Sequence, residues 1–190
     1  MVMNEYTQLE KQFLLELARR AIEFYFEKGR ELEINESEIP SSRLKEERAV
    51  FVTLNQNNDL RGCIGCLEAR LPLYQEVIDK AICAAFQDPR FLPLSKEELP
   101  KTQISISVLT IPKPLEFQDP QELLNKLTPE KDGVILKKGF NSATYLPKVW
   151  EELPDKELFL SSLCQKAGLE SDAWKGKIEV STYQSVDFEE

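Results

Sequence analysis

Ala49–Gly65 reads A-V-F-V-T-L-N-Q-N-N-D-L-R-G-C-I-G, which is two apolar runs separated by polar residues. The first run, Ala49–Leu54, is β-branched and apolar on both faces, which predicts a central strand. Asn55–Asp59 has the composition of a turn, and the second run, Leu60–Gly65, follows it directly. The pattern predicts a β-hairpin with a loop of about five residues, and the glycines weaken its second strand.

The second strand of this hairpin carries a cation, a thiol and glycines close together. Because alternate side chains of a strand lie on opposite faces, Arg61, Cys63 and Gly65 share one face. We therefore expect the Arg61 guanidinium to neighbour the Cys63 thiol, where its charge favours the thiolate. We expect Gly62 and Gly65 to be exposed, with N–H groups that can bind an oxyanion or a phosphate oxygen.

Other interpretations of the cysteines stay open. Cys63 is also compatible with a buried structural cysteine in a tight turn, with Arg61 in a surface ion pair. Cys63 and Cys66 form C-x-x-C, the spacing of a redox pair, although a regular strand places their side chains on opposite faces. Zinc needs about four ligands. Cys83 and Cys164 stand alone in predicted helices, so the sequence indicates no metal site.

Three residues outside the hairpin are candidate ligand contacts. Asp88 and Arg90 lie in a proline-containing turn after a predicted helix. Arg90 is suited to clamp a carboxylate or phosphate, and the alternative is that Asp88 and Arg90 pair and stiffen the loop. Tyr145, in A-T-Y-L-P, is a candidate hydrogen-bond donor in a cleft, or else a core aromatic.

The composition excludes several classes of function. The 190 residues include no histidine, which rules out a Ser-His-Asp triad, a Cys-His dyad and every His-ligated metal site within the chain. The formal net charge of −9 argues against nucleic-acid binding, which needs Lys and Arg to neutralise phosphates. The polar start predicts no signal peptide, and no apolar run approaches the ~18 residues of a membrane-spanning helix. We expect a cytoplasmic protein with reduced thiols.

The rest of the chain alternates irregularly between predicted helices and strands. Helices are predicted at Tyr6–Gly29, Leu71–Asp88, Asp119–Leu127, Pro147–Leu153 and Lys156–Ala167. Further strands are predicted at Thr102–Thr110, Gly133–Lys138, Ala143–Leu146 and Lys177–Tyr183. The charged stretch Arg30–Arg48 predicts a loop with little regular structure. The class is therefore α+β, a largely antiparallel sheet with packed helices.

Five ordered stretches resemble one protein family. They are L-R-G-C-I-G at 60–65, A-F-Q-D-P-R-F-L-P-L-S-K-E-E-L-P at 85–100, I-S-V-L-T at 106–110, D-G-V-I-L at 132–136 with A-T-Y-L-P-K-V-W at 143–150, and F-L-S-S-L-C-Q-K-A-G-L at 159–169. In this order they are similar to the AMMECR domain family, whose bacterial and archaeal members are called AmmeMemoRadiSam system protein A.

The resemblance implies one AMMECR-type domain over residues 1–190, with two unequal lobes and a cleft between them. The family signature matches in full, at Leu60, Arg61, Gly62, Cys63, Ile64 and Gly65. Cys66 stands where the family often has Thr or Ser, which makes C-x-x-C look incidental. In microbial genomes such proteins accompany a Memo-like protein and a radical-SAM protein, which suggests partners but specifies neither substrate nor cofactor.

These observations lead to two hypotheses about function. In the first, the protein is an enzyme, or a component of one, that acts on a small anionic ligand. Cys63 is then the nucleophile or a ligand-contacting thiol, Arg61 holds the thiolate or the anion, and Tyr145 or a carboxylate transfers protons. In the second, the protein is a non-catalytic binding or adaptor module for a partner such as the Memo-like protein. The family has no settled biochemical activity.

Overall fold

The structure is a computed structural model that describes residues 6–190. Its helices are α1 (Gln8–Lys28), α2 (Leu73–Phe86), α3 (Pro120–Lys126) and α4 (Lys156–Lys166). Its strands are β1 (Val50–Gln56), β2 (Asp59–Gly65), β3 (Gln103–Leu109), β4 (Lys113–Pro114), β5 (Gly133–Lys138), β6 (Asn141–Tyr145), β7 (Glu179–Tyr183) and β8 (Ser185–Glu189). The chain forms two compact units. Unit 1 contains the described residues up to Leu109 together with Val186–Glu190, and unit 2 contains Thr110–Ser185.

Unit 1 is a sheet in the order β2-β1-β3-β8, with α1 and α2 against one of its faces. The pairs β1–β2 and β1–β3 are antiparallel. Val52 and Leu54 are fully buried and belong to the same apolar core as residues of α1 and α2. Thr53 points to the other face, since side chains alternate along a strand. It lies opposite Cys63 of β2 and Ser105 of β3.

The first helix and the loop after it agree with the sequence pattern. Thr7 caps α1 by accepting a hydrogen bond from the Glu10 N–H, and the Glu10 carboxylate accepts one from the Thr7 N–H, a capping box. Gly29 ends the helix in the left-handed conformation, at φ 65°. The loop that follows contains two short 3-10 turns, Glu36–Glu38 and Ser42–Lys45, and an isolated bridge from Glu47 to Pro72.

The turn between β1 and β2 is tighter than predicted. β1 continues to Gln56 and β2 begins at Asp59, so the turn is Asn57 and Asn58 rather than a loop of about five residues. Both asparagines have positive φ, 52° and 69°. Asparagine tolerates this left-handed region better than most residues, so a two-residue turn forms and the strands run further towards it.

Unit 2 is a second sheet, in the order β4-β7-β5-β6, and its pairs β4–β7, β5–β7 and β5–β6 are antiparallel. Its largely aliphatic core also holds Trp150, Phe159 and Trp174, with Trp150 stacked on Phe159 at a ring-centroid distance of 3.6 Å. The predicted helix Pro147–Leu153 is a 3-10 helix, Pro147–Glu151. The α+β class with antiparallel pairing is confirmed, with two sheets where one was predicted. The cleft implied by the resemblance stays a prediction.

Unit 2 is inserted into unit 1 between β3 and β8. The two ends of the insertion are joined, because the Thr110 N–H donates to the Gln184 carbonyl at 2.8 Å and the Gln184 N–H donates to the Thr110 hydroxyl at 2.8 Å. In unit 1, the Glu190 carboxylate accepts from Arg19 Nε at 2.8 Å and from the Ile104 N–H at 3.1 Å. The last described residue is therefore fixed to α1 and β3.

Across residues 6–190, the helices lack the combination of length and apolar character that crossing a bilayer requires.

Candidate functional site

Cys63 lies in β2, one of the two edge strands of the unit 1 sheet, and its main-chain N–H and C=O groups are bound by side chains. The Cys63 N–H donates to Asp88 Oδ2 at 2.8 Å, and the Cys63 carbonyl accepts from Arg90 Nη2 at 3.2 Å. Both groups therefore point away from β1. Because Asp88 and Arg90 occupy the turn after α2, this turn closes the sheet edge at Cys63.

Asp88 and Arg90 pair with each other as well as with Cys63. Arg90 Nε and Nη2 lie 2.9 Å and 2.7 Å from the two carboxylate oxygens of Asp88. The side chain of Asp88 is 2% exposed and that of Arg90 is 53% exposed. The hydrogen bonds from Arg90, followed by the Cys63 N–H, lower the pKa of Asp88 to about 2. Arg90 Nη1 forms no hydrogen bond with the described residues.

The Cys63 sulfur is half-buried and has a hydroxyl partner. Thr53 Oγ1 donates to Cys63 Sγ at 3.1 Å, and Thr53 is only 3% exposed. Sequence reasoning did not identify Thr53, because its position opposite Cys63 depends on the register of the hairpin.

The guanidinium of Arg61 is bound by a carboxylate that sequence reasoning did not single out. Arg61 Nε and Nη2 lie 2.8 Å and 3.2 Å from the two oxygens of Glu98. Hydrogen bonding from Arg61 is the main cause that lowers the pKa of Glu98 to about 2. Arg90 is thus the arginine that hydrogen-bonds Cys63. Both guanidinium carbons lie near the ring of Phe91, at 5.9 Å for Arg61 and 5.5 Å for Arg90.

The two glycines of the motif allow close packing. Gly62 is buried and not exposed as predicted. A β-carbon at Gly62 would lie 2.2 Å from the carbonyl oxygen of Ala84, because the main chain of α2 crosses directly over it. A β-carbon at Gly65 would lie 2.2 Å from the ring of Phe51. Gly62 therefore requires a residue with no side chain, whereas a side chain at Gly65 would have to displace the ring of Phe51.

The remaining candidates have different surroundings. Leu60 is exposed, and Ile64 packs against the core of unit 1. Tyr145 belongs to unit 2, where its hydroxyl lies 2.9 Å from Ser162 Oγ and its ring lies edge-on to Phe159. The structure joins Cys63, Asp88 and Arg90 directly.

All four cysteines are free. Burial raises the pKa of Cys66 and of Cys164. Burial and, secondly, the charge of Asp79 raise the pKa of Cys83 to about 11. These three thiols are therefore poorly ionised at neutral pH.

The ion pairs of the site predict a loss of stability in acid. A carboxylate whose pKa is lower in the folded state stabilises the fold above its unfolded pKa, and this contribution disappears as the pH falls through the folded value. Asp88 and Glu98 both have folded pKa values of about 2, against ordinary values of 3.8 and 4.5. In urea titrations we expect the free energy of unfolding to decline from about pH 5 to pH 2. We expect a shallower decline for Glu98→Gln.

The matched control for that prediction is Glu97→Gln, which removes an adjacent exposed carboxylate that forms no ion pair with the described residues. A Glu98→Gln curve parallel to that of the wild-type protein would contradict the assigned role of the Arg61–Glu98 pair.

Comparison with known proteins supports the fold. A family model described as AMMECR1 matches residues 15–188. A protein from Methanopyrus kandleri is 40% identical over 198 residues, which cover 99% of this chain and 92% of that protein. One from Thermofilum pendens is 40% identical over 193 residues, with coverages of 95% and 90%. A crystal structure of an uncharacterized protein from Pyrococcus horikoshii has a TM-score of 0.90 at 40% identity and covers 97% of this chain and 93% of that one.

Proposed function

Because this chain belongs to the AMMECR1 family, whose signature it carries in full, we propose that it is an enzyme, or a component of one, that acts on a small anionic ligand through Cys63. The observation that carries the proposal is the environment of the sulfur. The sulfur is half-buried and accepts a hydrogen bond from the buried Thr53 hydroxyl. The main-chain carbonyl of Cys63 accepts a hydrogen bond from Arg90. A thiol that contacts a hydrogen-bond donor and lies near a cation is suited to nucleophilic chemistry.

Arg90 and Arg61 are the anion contacts in this proposal. Both guanidinium groups flank Phe91, and in each of them Nη1 forms no hydrogen bond with a residue in 6–190. A planar guanidinium with a free donor binds carboxylate or phosphate oxygens well. Asp88 and Glu98 neutralise the two arginines, so we expect anion affinity to be modest and to depend on geometry rather than on net charge.

The first test is the reactivity of the four thiols in the native protein. A pKa of about 11 leaves Cys83 almost fully protonated at pH 7, and the thiolate is the reactive species. We expect iodoacetamide to modify Cys63 at least about tenfold faster than Cys83, as measured by peptide mass spectrometry. Modification of Cys63 only after denaturation, or no faster than Cys83, would contradict the proposal.

The second part of that test concerns the anion. Inorganic phosphate at millimolar concentrations should slow the alkylation of Cys63 in the wild-type protein and have less effect in Arg90→Gln. The matched control is Arg70→Gln, which removes an arginine that is 78% exposed and whose one ion pair among the described residues is with Glu68. If phosphate slows the alkylation of Cys63 equally in Arg90→Gln and in the wild-type protein, Arg90 does not contact the anion.

A second candidate function is a non-catalytic adaptor for a Memo-like or radical-SAM partner in the cytoplasm. It is favoured by the internal pairing of the motif's charges, Arg61 with Glu98 and Arg90 with Asp88, which closes the edge of β2. Such a motif stabilises a tight strand without any chemistry. In a pull-down, recovery of a Memo-like protein in equal amounts by the wild type and by Cys63→Ala would favour this candidate, provided that Cys63 also fails to react with iodoacetamide.

A further inference from the structure

Glu31–Ile34, between α1 and the first 3-10 turn, has the burial pattern of a strand but pairs with no strand in the described part of the chain. Leu32 and Ile34 pack against the core of unit 1, whereas Glu31 and Glu33 are exposed. This alternation has the two-residue period of an extended chain. Within residues 6–190, the main-chain N–H and C=O groups of these four residues form no hydrogen bond. An extended chain with unpaired main-chain groups is a template for an added strand.

An open groove of about 510 Å³ lies between this segment and α2. Its apolar lining includes Leu32, Ile34, Leu71 and Ile78, and Leu71 is 40% exposed. Ligand sites in proteins are typically concavities of about 300–1,000 Å³, so the groove has a suitable size. Its walls are mixed, since Tyr74, Gln75 and acidic residues line it beside the apolar side chains. The groove therefore offers apolar positions and polar positions side by side to a bound chain.

The rim of the groove is acidic. Its charged lining residues are Glu31, Glu33 and Asp79, and no Lys or Arg lines it. Glu31 forms no ion pair with the described residues. Glu33 forms an ion pair with Arg30, whose Nη1 lies 3.5 Å from Glu33 Oε1, and both side chains are exposed, so the pair is weak. Lys80 neutralises Asp79 from outside the groove. The carboxylates on the segment are thus available to a cationic partner.

We propose that this groove binds an extended segment of a partner protein, which pairs with the main chain of Glu31–Ile34 as an added strand. Basic residues of the partner lie beside Glu31 and Glu33, and the apolar residues that alternate with them pack towards Leu71 and Ile78. The site shares no residue with the thiol site, so it is independent of the chemistry proposed for Cys63.

The test uses a fluorescein-labelled peptide, acetyl-Lys-Leu-Lys-Val-Lys-amide, and its fluorescence anisotropy with the full chain. We expect saturable binding, and about three- to tenfold weaker binding to Glu31→Gln/Glu33→Gln. The control variant Glu151→Gln/Glu152→Gln changes the net charge equally at an exposed site in unit 2, and we expect it to bind like the wild type. Thermal unfolding confirms that both variants are folded.

Two further peptides test the chemistry of the proposed partner. A peptide with Glu in place of each Lys should bind at least about tenfold more weakly. A version N-methylated at alternate residues should also bind more weakly, because it cannot complete a ladder of main-chain hydrogen bonds. Any of four results would overturn the proposal. They are an affinity for the N-methylated peptide equal to that for the original peptide, an affinity for the acidic peptide equal to that for the original peptide, binding of the original peptide by Glu31→Gln/Glu33→Gln as tight as by the wild type, and no binding at millimolar peptide.

Discussion

Gly62→Ala is expected to destabilise the protein by about 3 kcal/mol, because the added methyl group overpacks a closed contact. Its β-carbon would lie 2.2 Å from the carbonyl oxygen of Ala84 and 3.2 Å from the carbonyl carbon. Both atoms belong to the main chain of α2, so no side-chain rotation relieves the clash and the helix must move away from β2. Urea denaturation followed by circular dichroism measures the loss.

Alanine substitutions at two other glycines serve as comparisons for the stability loss of Gly62→Ala. At Gly176, an added β-carbon would come no closer than 3.6 Å to another atom, the Ala173 carbonyl oxygen, and φ is −103°. We expect Gly176→Ala to stay within about 0.5 kcal/mol of the wild type. Gly65→Ala should cause a loss of stability between those of Gly176→Ala and Gly62→Ala, since the clashing atoms belong to the Phe51 side chain, which can shift. A Gly62→Ala protein as stable as Gly176→Ala would contradict the close approach of α2 to β2.

Asp88→Asn is expected to have the second largest effect, a loss of about 2–4 kcal/mol. The buried carboxylate accepts hydrogen bonds from four N–H groups, the main-chain N–H of Cys63 and of Arg90 and the side-chain Nε and Nη2 of Arg90. An amide replaces one accepting oxygen with a donor that faces other donors. The edge of β2 then loosens at Cys63, and hydrogen exchange of the Cys63 amide should accelerate by at least about tenfold.

Asp119→Asn is the matched control. Asp119 caps α3 by accepting a hydrogen bond from the Glu122 N–H at 2.8 Å, and asparagine caps a helix about as well as aspartate. The same chemical change should therefore cost little at Asp119. Unchanged exchange at Cys63 in Asp88→Asn would show that the Asp88 side chain does not hold the edge of the sheet.

The sequence predicted the long periodic elements best, since their patterns are local. Helices α1 and α2 and strand β3 begin and end within two residues of their predicted limits. The two-residue strand β4 is too short to leave a pattern. A pattern for β8 was present, because Val186 and Phe188 alternate with Asp187 and Glu189, but the prediction ended at Tyr183.

The site was predicted only where it is local in sequence. Cys63, Asp88 and Arg90 were singled out from their own segments. A five-residue loop would have paired Thr53 with Arg61, whereas the tight turn and a bulge between Leu54 and Asn55 pair it with Cys63. Because the shift is by two residues, the side chains of β2 stay on the same face of the sheet, but the residue opposite Thr53 changes from Arg61 to Cys63. Glu98 was missed because nothing local distinguishes it among 33 acidic residues.

The insertion of unit 2 has a consequence for the order of folding. During translation the ribosome releases β1, β2 and β3 well before β8, and all of unit 2 emerges in between. The outer edge of β3 is consequently unpaired until Val186–Glu190 emerges, and Arg19 Nε lacks its Glu190 partner until then. A nascent chain stalled anywhere within unit 2 therefore contains a three-stranded, incomplete sheet of unit 1. This sheet is completed only when Val186–Glu190 emerges and pairs with β3.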